Sequence, residues 1–233
     1  NLADTPIGSL EVSDTDDDAS KNVALVRGQY FSVERAGITN AKVNSDVLQI
    51  KRVVSTPTLP ADIQDDRYYL ISNTNNGAIF AGTAAVPTVN FGTIWEYQHH
   101  VYYVREESFG SNVVPVLVQG TLQNDATNTM VLSMVVEGIE HVHYMFGVDT
   151  DDDGIVNAFI SADNMLEAHW DNEGNVRILA VKVYVLVREI FPDSQYENLN
   201  TYQLGDKTLT FTNNAGEGDN YRRLLFSSTV TLH

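Results

Sequence analysis

The chain of 233 residues has no cysteine, few basic residues and no long hydrophobic run. The absence of cysteine excludes disulfides, zinc-thiolate sites and cysteine nucleophiles, although it does not identify a cellular compartment. No segment approaches the roughly 20 consecutive apolar residues of a membrane-spanning helix, so we expect this chain to be soluble. Because 43% of the residues are apolar, the composition is that of a globular protein rather than a disordered one.

The shortage of basic residues gives the chain a strongly one-sided charge. It has 14 Lys and Arg against 31 Asp and Glu, a formal net charge of -17. Nucleic acids and anionic membrane surfaces are bound mainly through Lys and Arg, which neutralise negative charge. The sequence therefore predicts no nucleic-acid partner, and it favours cations or the basic surfaces of other proteins.

Sequence motifs of common catalytic sites are also missing. There is no G-x-S-x-G nucleophile elbow, no glycine-rich phosphate loop and no H-E-x-x-H pair. A glycosidase-type pair of carboxylates stays open as an alternative, because the fold and not the sequence spacing assembles such pairs. The sequence predicts that the protein is not an enzyme.

What the chain does contain is a series of short β-branched and aromatic runs separated by turn-prone segments. The runs cover residues 23–26, 47–54, 68–71, 94–104, 113–118 and 130–136, with turns at 73–77 and 109–112. This pattern predicts a mainly β or α+β fold with antiparallel strands and few short helices. We expect one globular domain over residues 1–233, with a mobile acidic segment at residues 1–20 and its least certain internal boundary near residues 86–88.

Two later segments predict strands of different kinds. In residues 176–188 both alternating sets of side chains are largely apolar, which predicts a central strand covered on both faces. In residues 224–232 the apolar side chains share one face and the hydroxyl side chains share the other, which predicts one wet face. The apolar set is Leu224, Phe226, Val230 and Leu232, and the hydroxyl set is Ser227, Thr229 and Thr231.

One short helix of about two turns is predicted over residues 163–170. Ser161 or Asp163 would cap the free N–H groups at its N-terminus. Leu166 and Trp170 would lie on one face, four residues apart.

The run GVDTDDDGIVN, from Gly147 to Asn157, is the clearest candidate ligand site. If Asp149 is position 1 of an EF-hand-type Ca²⁺ loop, the ligand positions 3, 5, 7 and 9 are Asp151, Asp153, the Ile155 carbonyl and Asn157, and Gly154 provides the turn at position 6. Position 12 is Ile160, and residues 140–146 indicate a strand, so a complete EF-hand is not expected. The sequence predicts a weak Ca²⁺ loop completed by Asp163, Asp171 or water, with an ion-free acidic turn as the alternative.

Histidines offer a second hypothesis for a metal site. His141 and His143 would project from one face of a strand, and His99 and His100 lie on another strand. A transition metal could bind between the two pairs if the fold brought them together. Histidine on a half-buried strand is more often a hydrogen-bonded polar residue, which is the alternative interpretation.

The sequence resembles the PilW family of type IV minor pilins from about Ser45 to His233. The most specific matching segments are VEGIEHVHYMFGVDTDDDG and RRLLFSSTVTL, and SDVLQIKRV, YYLISNTNNGAIFAGT, HHVYYVREE and NVRILAVKVYVLVRE occur in the matching order. The resemblance implies a β-rich pilin-like head. It also implies an N-terminal hydrophobic helix that anchors the subunit, and this helix is absent from the present sequence. Family members often carry cysteines in the head, and no family disulfide transfers to this chain.

The function implied by the resemblance is that of a low-abundance structural subunit. It would help to initiate type IV pilus assembly by packing with other minor pilins near the fibre tip. It would reside in the bacterial inner membrane and periplasm before assembly and in the surface fibre afterwards. Its partners would be other minor pilins and assembly proteins, with membrane contact only through the missing helix. The isolated head is expected to be monomeric.

Three alternative functions remain open at this point. A type II secretion pseudopilin would have the same anchor and head. A Ca²⁺-dependent adhesin or glycan-binding head would bind a surface ligand, and a hydrolase would hold two close carboxylates in a cleft. The pilin interpretation predicts a short basic leader and an apolar helix of ~20 residues upstream of Asn1.

Overall fold

The computed structural model describes Phe31–Ser32 and residues 41–232, except residues 111, 125–129, 171–173 and 214. The fold is β-rich with antiparallel sheets, which confirms the predicted fold class. Helical structure in the described residues consists of two 3-10 turns, Pro60–Asp62 and Ala162–Asn164, and helix α1, Glu167–Trp170. Within these residues we find no helix with the length and apolarity that a membrane crossing requires.

The chain divides into two compact units, which we describe separately. The first comprises strand β1 (Phe31–Ser32), Leu48–Tyr102 and Gln119–Ser133, and the second comprises Asn40–Val47, Tyr103–Val118 and Met134–His233. Residues 86–88, where we expected the least certain boundary, lie inside the first unit. The single-domain organisation stays a prediction.

A seven-stranded sheet contains all strands of the first unit, and its last three strands continue into residues assigned to the second unit. Its members are β1, β2 (Leu48–Pro57), β3 (Tyr68–Ser72), β4 (Gly77–Ala81), β5 (Thr93–Phe109), β6 (Asn112–Leu122) and β7 (Met130–Glu137). The order is β1-β2-β5-β3-β4, and β6 pairs with both β5 and β7. A small core of Tyr69, Ile71, Phe80 and Ile94 fills this unit, and the Tyr69 and Phe80 rings stack with centroids 5.7 Å apart.

A four-stranded sheet and a separate hairpin build the second unit. The sheet has the order β13-β10-β8-β9, formed by β8 (Ile139–Asp149), β9 (Ala158–Ser161), β10 (Arg177–Arg188) and β13 (Arg223–Thr231). The hairpin joins β11 (Thr201–Leu204) to β12 (Lys207–Thr210). Strand β8 is buried on both faces, because the side chains on each face are apolar or hydrogen-bonded. Leu186, Tyr202, Leu204 and Leu209 form a buried cluster between β10 and the hairpin.

The predicted strands agree closely with the observed ones. Residues 47–54, 68–71, 94–104, 113–118, 130–136 and 176–188 correspond to β2, β3, β5, β6, β7 and β10. Residues 23–26 lie outside the described residues. The turn predicted at 73–77 joins β3 to β4, where the Asn73 side chain accepts the N–H groups of Asn75 and Asn76.

Three local predictions differ from the structure. Strand β10 is central, between β8 and β13, yet only Ala180 and Leu186 are fully buried on it. The apolar face of β13 is exposed rather than buried, because β13 is an edge strand and nothing in the described residues covers it. The helix is shorter than predicted, and Ser161 does not cap it, because its hydroxyl donates instead to the Asp206 carboxylate at 2.5 Å.

Candidate functional site

The acidic loop connects β8 to β9 and is organised by one carboxylate. Asp149 lies at the end of β8 and is only 1% exposed. Its Oδ1 accepts the backbone N–H groups of Asp151 and Asp152 at 3.1 and 2.9 Å, and its Oδ2 accepts that of Gly154 at 2.8 Å. Gly154 has a φ of 80°, so it provides the sharp turn that the sequence predicted.

Three of the predicted ligands converge in this loop. Asp149, Asp151 and Asp153 each offer a carboxylate oxygen, and these oxygens lie within 4.8 Å of one another. Asp151 and Asp153 are exposed to solvent. Three hard oxygen ligands of this kind match part of the coordination that Ca²⁺ requires. In the described part of the chain, no other group of three or more potential ligands lies this close together.

The remaining predicted ligands have other arrangements. The Asn157 Oδ1 accepts the backbone N–H of Thr150 at 2.6 Å and the Thr150 hydroxyl at 3.1 Å. The backbone N–H of Ile155 donates to Asp153 Oδ1 at 2.8 Å, and the Ile155 side chain is exposed. Asp163 is exposed on the 3-10 turn after β9, and Asp171 lies outside the described residues. For Asn157 to coordinate an ion in the loop, its side chain would need to turn away from Thr150.

The charge of Asp149 is maintained by the loop itself. Its burial raises the pKa, but the N–H groups of Gly154, Asp151 and Asp152 outweigh that effect and hold the pKa of Asp149 below its usual value. The carboxylate is therefore ionised at neutral pH whether or not a cation is bound. The same hydrogen bonds occupy both of its oxygens, which is also the arrangement of an ion-free Asx turn.

The histidines considered for a transition-metal site make other contacts. In the first unit, buried His99 donates through Nε2 to the Gln49 side chain at 3.0 Å, and His100 Nδ1 lies 3.3 Å from both Thr121 Oγ1 and Gln119 Nε2. In the second unit, the ring of His141 lies against that of Phe211. These contacts favour the interpretation of the histidines as polar residues engaged by the fold.

His143 joins three segments of the second unit. Its Nδ1 donates to Asp46, which precedes β2, and its Nε2 donates to Asp206, in the turn between β11 and β12, both at 2.8 Å. Asp46 also accepts Lys207 Nζ at 3.0 Å, and Asp206 accepts the hydroxyl of Ser161. Burial lowers the pKa of His143, but the hydrogen bonds and charge of Asp46, with the hydrogen bond to Asp206, raise it above 6.5. The imidazolium thus links two carboxylates.

A buried ion network lies one residue from His141, around Glu140. Arg223 Nε donates to Glu140 at 2.5 Å, and its two terminal nitrogens donate to the Asp219 carboxylate at 2.7 and 2.6 Å. The Arg223 and Glu140 side chains are 1% and 3% exposed. The guanidinium also lies over the Phe211 ring, 3.8 Å from its centroid. Every part of this arginine is therefore paired, as a buried charge requires.

Two strands expose apolar side chains. From Val131 to Glu137 every residue of β7 is exposed, and five of its apolar side chains are 39 to 50% accessible. On β13, the side chains of Leu224, Phe226 and Val230 are 66, 55 and 54% exposed. Each of these strands has one hydrogen-bonded neighbour in the described residues. Exposed apolar edge strands are typical of surfaces that contact other protein chains.

Sequence reasoning missed the roles of Glu140, Arg223, Asp46 and Asp206. A signal was available for the first two, because a Glu and an Arg each interrupt a segment that is otherwise mostly apolar, and buried charges need partners of opposite sign. Nothing local identifies Asp46 and Asp206, because they lie 97 and 63 positions from His143 in the sequence.

Comparison with known proteins gives one match. The model of a family described as Type IV Pilus-assembly protein W matches residues 101–233. The matched part includes the acidic loop, His143, the Glu140–Arg223 pair and strands β8 to β13. No curated protein and no solved structure matches the chain.

Proposed function

Because the chain belongs to the PilW family of type IV pilus-assembly proteins, whose model matches more than half of it, we propose that it is a minor pilin-like structural subunit. In this role it helps to initiate pilus assembly by packing with other minor pilins. Family membership itself means a role in type IV pilus assembly and an association with the cell envelope. The more specific proposal, that the subunit packs with other minor pilins, is supported by the exposed strands of the head.

Strand β7 provides the most extensive exposed apolar surface for such packing. Its segment Val131–Val136 carries no charge, and Val131, Leu132, Met134, Val135 and Val136 are all exposed. A surface of this kind, on a chain with a net charge of -17, suits a partner head with an apolar patch and basic residues around it. Contacts between heads would be modest in area, and the anchoring helix would supply the larger share of the packing.

Deleting the gene in its host tests the proposal directly. We expect a sharp loss of surface pili, and with them of twitching or DNA uptake, as measured by electron microscopy of shed fibres and motility assays. Expression of the intact gene in trans should restore the pili. The gene carrying Val135→Lys should restore few pili, whereas Thr201→Lys, at an exposed position of strand β11, should restore them fully.

Two outcomes of the deletion would contradict the proposal. Normal pili with lost secretion of a specific exoprotein would identify a type II secretion pseudopilin instead. Normal pili and normal secretion with lost adhesion would identify an adhesin. Equal complementation by Val135→Lys and Thr201→Lys would remove β7 from the packing surface.

We also propose that the acidic loop binds Ca²⁺ through Asp149, Asp151, Asp153, the Ile155 carbonyl and Asn157. The convergence of three carboxylates at a glycine turn supports this role. The missing position-12 glutamate and the contact between Asn157 and Thr150 predict weak binding, toward the millimolar dissociation constants of extracellular Ca²⁺ modules. The ion would hold the connection between β8 and β9 in one conformation at the surface of the head.

Ca²⁺ at about five times its dissociation constant should then raise the melting temperature by about 2–4 °C, because a ligand that binds only the folded state stabilises it by roughly 1 kcal/mol at that concentration. Differential scanning calorimetry with and without Ca²⁺ measures this shift. The variant Asp151→Ala with Asp153→Ala should lose it. The control variant Asp65→Ala with Asp66→Ala, an exposed pair in the first unit, should keep it. Identical wild-type melting curves in Ca²⁺ and in chelator would leave the loop as an ion-free turn.

A further inference from the structure

Strand β13 has one edge fully paired and, among the described residues, one edge without a partner strand. Nine residue pairs join it to β10, from Arg188 opposite Arg223 to Ala180 opposite Thr231, with no register shift. No other strand in the described residues pairs with β13. Its residues from Phe226 to Thr231 are exposed on both faces of the sheet. As far as the described residues show, the second edge is accessible to another chain.

The register shows which backbone groups this edge offers. The N–H of Leu232 donates to the carbonyl of the opposite residue, Leu179, at 2.8 Å. In an antiparallel pair, the residues that bond to one neighbour alternate with those that point away from it. The even-numbered residues of β13 therefore bond to β10. The N–H and C=O groups that point outward belong to Leu225, Ser227, Thr229 and Thr231.

This edge lacks the features that usually prevent strand pairing. Natural edge strands are protected by charged side chains, proline, bulges or a very short length. From Leu224 to Leu232 the sequence LLFSSTVTL has no charged residue, no proline and no glycine. The strand is nine residues long and unbulged. The apolar side chains of Leu224, Phe226 and Val230 are more than half exposed beside the edge.

The sequence of the edge is complementary to itself around Ser228. If a second strand runs antiparallel with Ser228 opposite Ser228, the directly opposed pairs are Leu224 with Leu232, Leu225 with Thr231, Phe226 with Val230, and Ser227 with Thr229. Apolar side chains then meet mainly apolar ones, and hydroxyls meet hydroxyls, in directly opposed positions. In the same register the outward N–H and C=O groups of Leu225 and Ser227 face those of Thr231 and Thr229, so the hydrogen bonds also match.

We propose that β13 pairs with β13 of a second copy of this chain, antiparallel and with the two-fold axis at Ser228. A two-fold contact requires a surface that is complementary to itself, and the pattern of this strand meets that requirement. The contact joins two four-stranded sheets into one continuous sheet. It goes beyond the proposed function, since packing with other minor pilins does not require it, and it differs from the monomeric head expected from the sequence.

Charge sets the conditions under which this pair forms. The two edges bring no charged residue together, so nothing repels at the contact itself. Each whole chain has a net charge of -17, so two copies repel over longer distances. Salt screens that repulsion, with a screening length of about 8 Å at physiological ionic strength. A single strand edge is also smaller than the ~800 Å² per partner of a standard interface. The pair is therefore weak, concentration-dependent and strengthened by salt.

A cysteine placed at the two-fold axis tests the pairing, and the natural absence of cysteine makes the experiment clean. In Ser228→Cys the two thiols would face each other at a non-hydrogen-bonded pair, where Cα atoms are about 4.5 Å apart, within the range of a disulfide. The matched control is Ser227→Cys, the adjacent exposed residue. Its two copies would lie diagonally, beyond the about 7 Å that a disulfide can bridge.

We expect copper-phenanthroline oxidation of the purified chain to give roughly tenfold more disulfide-linked dimer with Ser228→Cys than with Ser227→Cys, because of this difference in Cα separation. The yield should rise with protein concentration and with NaCl. Analytical ultracentrifugation of the cysteine-free chain should show a mean mass that rises under the same conditions. Ser228→Lys should remain monomeric, because it places two like charges directly opposite each other.

Equal cross-linking of the two cysteine variants would indicate random collision and would overturn the pairing. A chain that sediments as a monomer at all concentrations and salt levels would overturn it too. Dimers that Ser228→Lys leaves intact would place the contact elsewhere on the head and refute the proposed axis. None of these results depends on piliation, so they leave the proposed function to be tested separately.

Discussion

Replacing Arg223 with Met should destabilise the protein by about 3–5 kcal/mol, the usual cost of removing one partner from a buried ion pair. The substitution leaves Glu140 buried, with its remaining cationic neighbours, Lys42 Nζ and Arg188 Nε, at 3.9 and 3.8 Å. It also leaves Asp219 without the two short hydrogen bonds from Arg223. Total folding free energies are about 5–15 kcal/mol, so this loss is a large fraction of the whole. Urea unfolding followed by circular dichroism measures it.

Arg222 provides a matched control next to Arg223 in the sequence. Its guanidinium pairs with Asp193 at 2.9 Å, but the two side chains are 53% and 36% exposed. Exposed ion pairs contribute little because solvent screens them. We expect Arg222→Met to destabilise the protein much less than Arg223→Met does. Similar losses for the two variants would contradict the assignment of Glu140 and Arg223 as the buried ion pair of this unit.

Replacing His143 with Phe should cost about 2–3 kcal/mol near pH 6 and should also change how stability depends on pH. The magnitude follows from two hydrogen bonds to charged groups in a buried site. The folded chain raises the pKa of His143 above 6.5, so protonation favours the folded state. This contribution is complete below the unfolded pKa of about 6.5 and is lost as the pH rises through the raised pKa. Wild-type stability should therefore fall as the pH rises above about 6.5, and that fall should be absent in His143→Phe.

The two carboxylates that bind His143 affect stability in a different pH range. The pKa values of Asp46 and Asp206 are lowered, because hydrogen bonds with His143, and with Ser161 for Asp206, outweigh burial. Their contribution is therefore lost only in acid, as the pH falls below about 4. Lys207, which donates to Asp46, and Tyr184, whose ring stacks on that of His143, are the other ionisable groups beside this histidine.

His141 supplies the control, because burial lowers its pKa to about 4. Its contribution is present above about pH 6.5 and is lost as the pH falls through the lowered value. His141→Phe should therefore flatten the stability profile on the acid side and leave in place the fall that His143 causes at higher pH. Chemical unfolding at closely spaced pH values measures both the acidic and the higher-pH part of the stability profile. A wild-type profile that does not fall as the pH rises above about 6.5 would show that His143 is not held as an imidazolium.

Much of the fold could be predicted from local sequence patterns. Six strands and the turn at 73–77 followed from β-branched runs and turn residues, whose preferences act over a few positions. The exposure of β13 could not be predicted, because alternation shows that a strand has an apolar face but not whether another element covers it. Ser161 was misassigned as a cap for a related reason: its hydroxyl bonds to Asp206, 45 positions away. Contacts over such distances leave no local sequence signal.

For the candidate site, too, some features could be predicted from the sequence and others could not. The convergence of Asp149, Asp151 and Asp153 could be read from their spacing, because one short loop determines it. The position of Asn157 could not, because Thr150 competes for its side chain within the same loop. The Glu140–Arg223 and Asp46–His143 pairs join residues 83 and 97 positions apart, and only the folded structure identifies them.

The Glu140–Arg223 pair also constrains the order in which the second unit can fold. Strand β8 carries Glu140, but the arginine that neutralises it and the strand that completes the sheet lie more than 80 residues later. While the chain emerges progressively from a ribosome or a translocation channel, β8 and β10 can pair before residues 219–231 are available. During that interval Glu140 lacks its principal counter-charge and β10 has an unpaired edge, the kind of exposed intermediate that aggregates or recruits chaperones. We therefore expect the second unit to become protease-resistant only in a late, cooperative step, after β13 has docked.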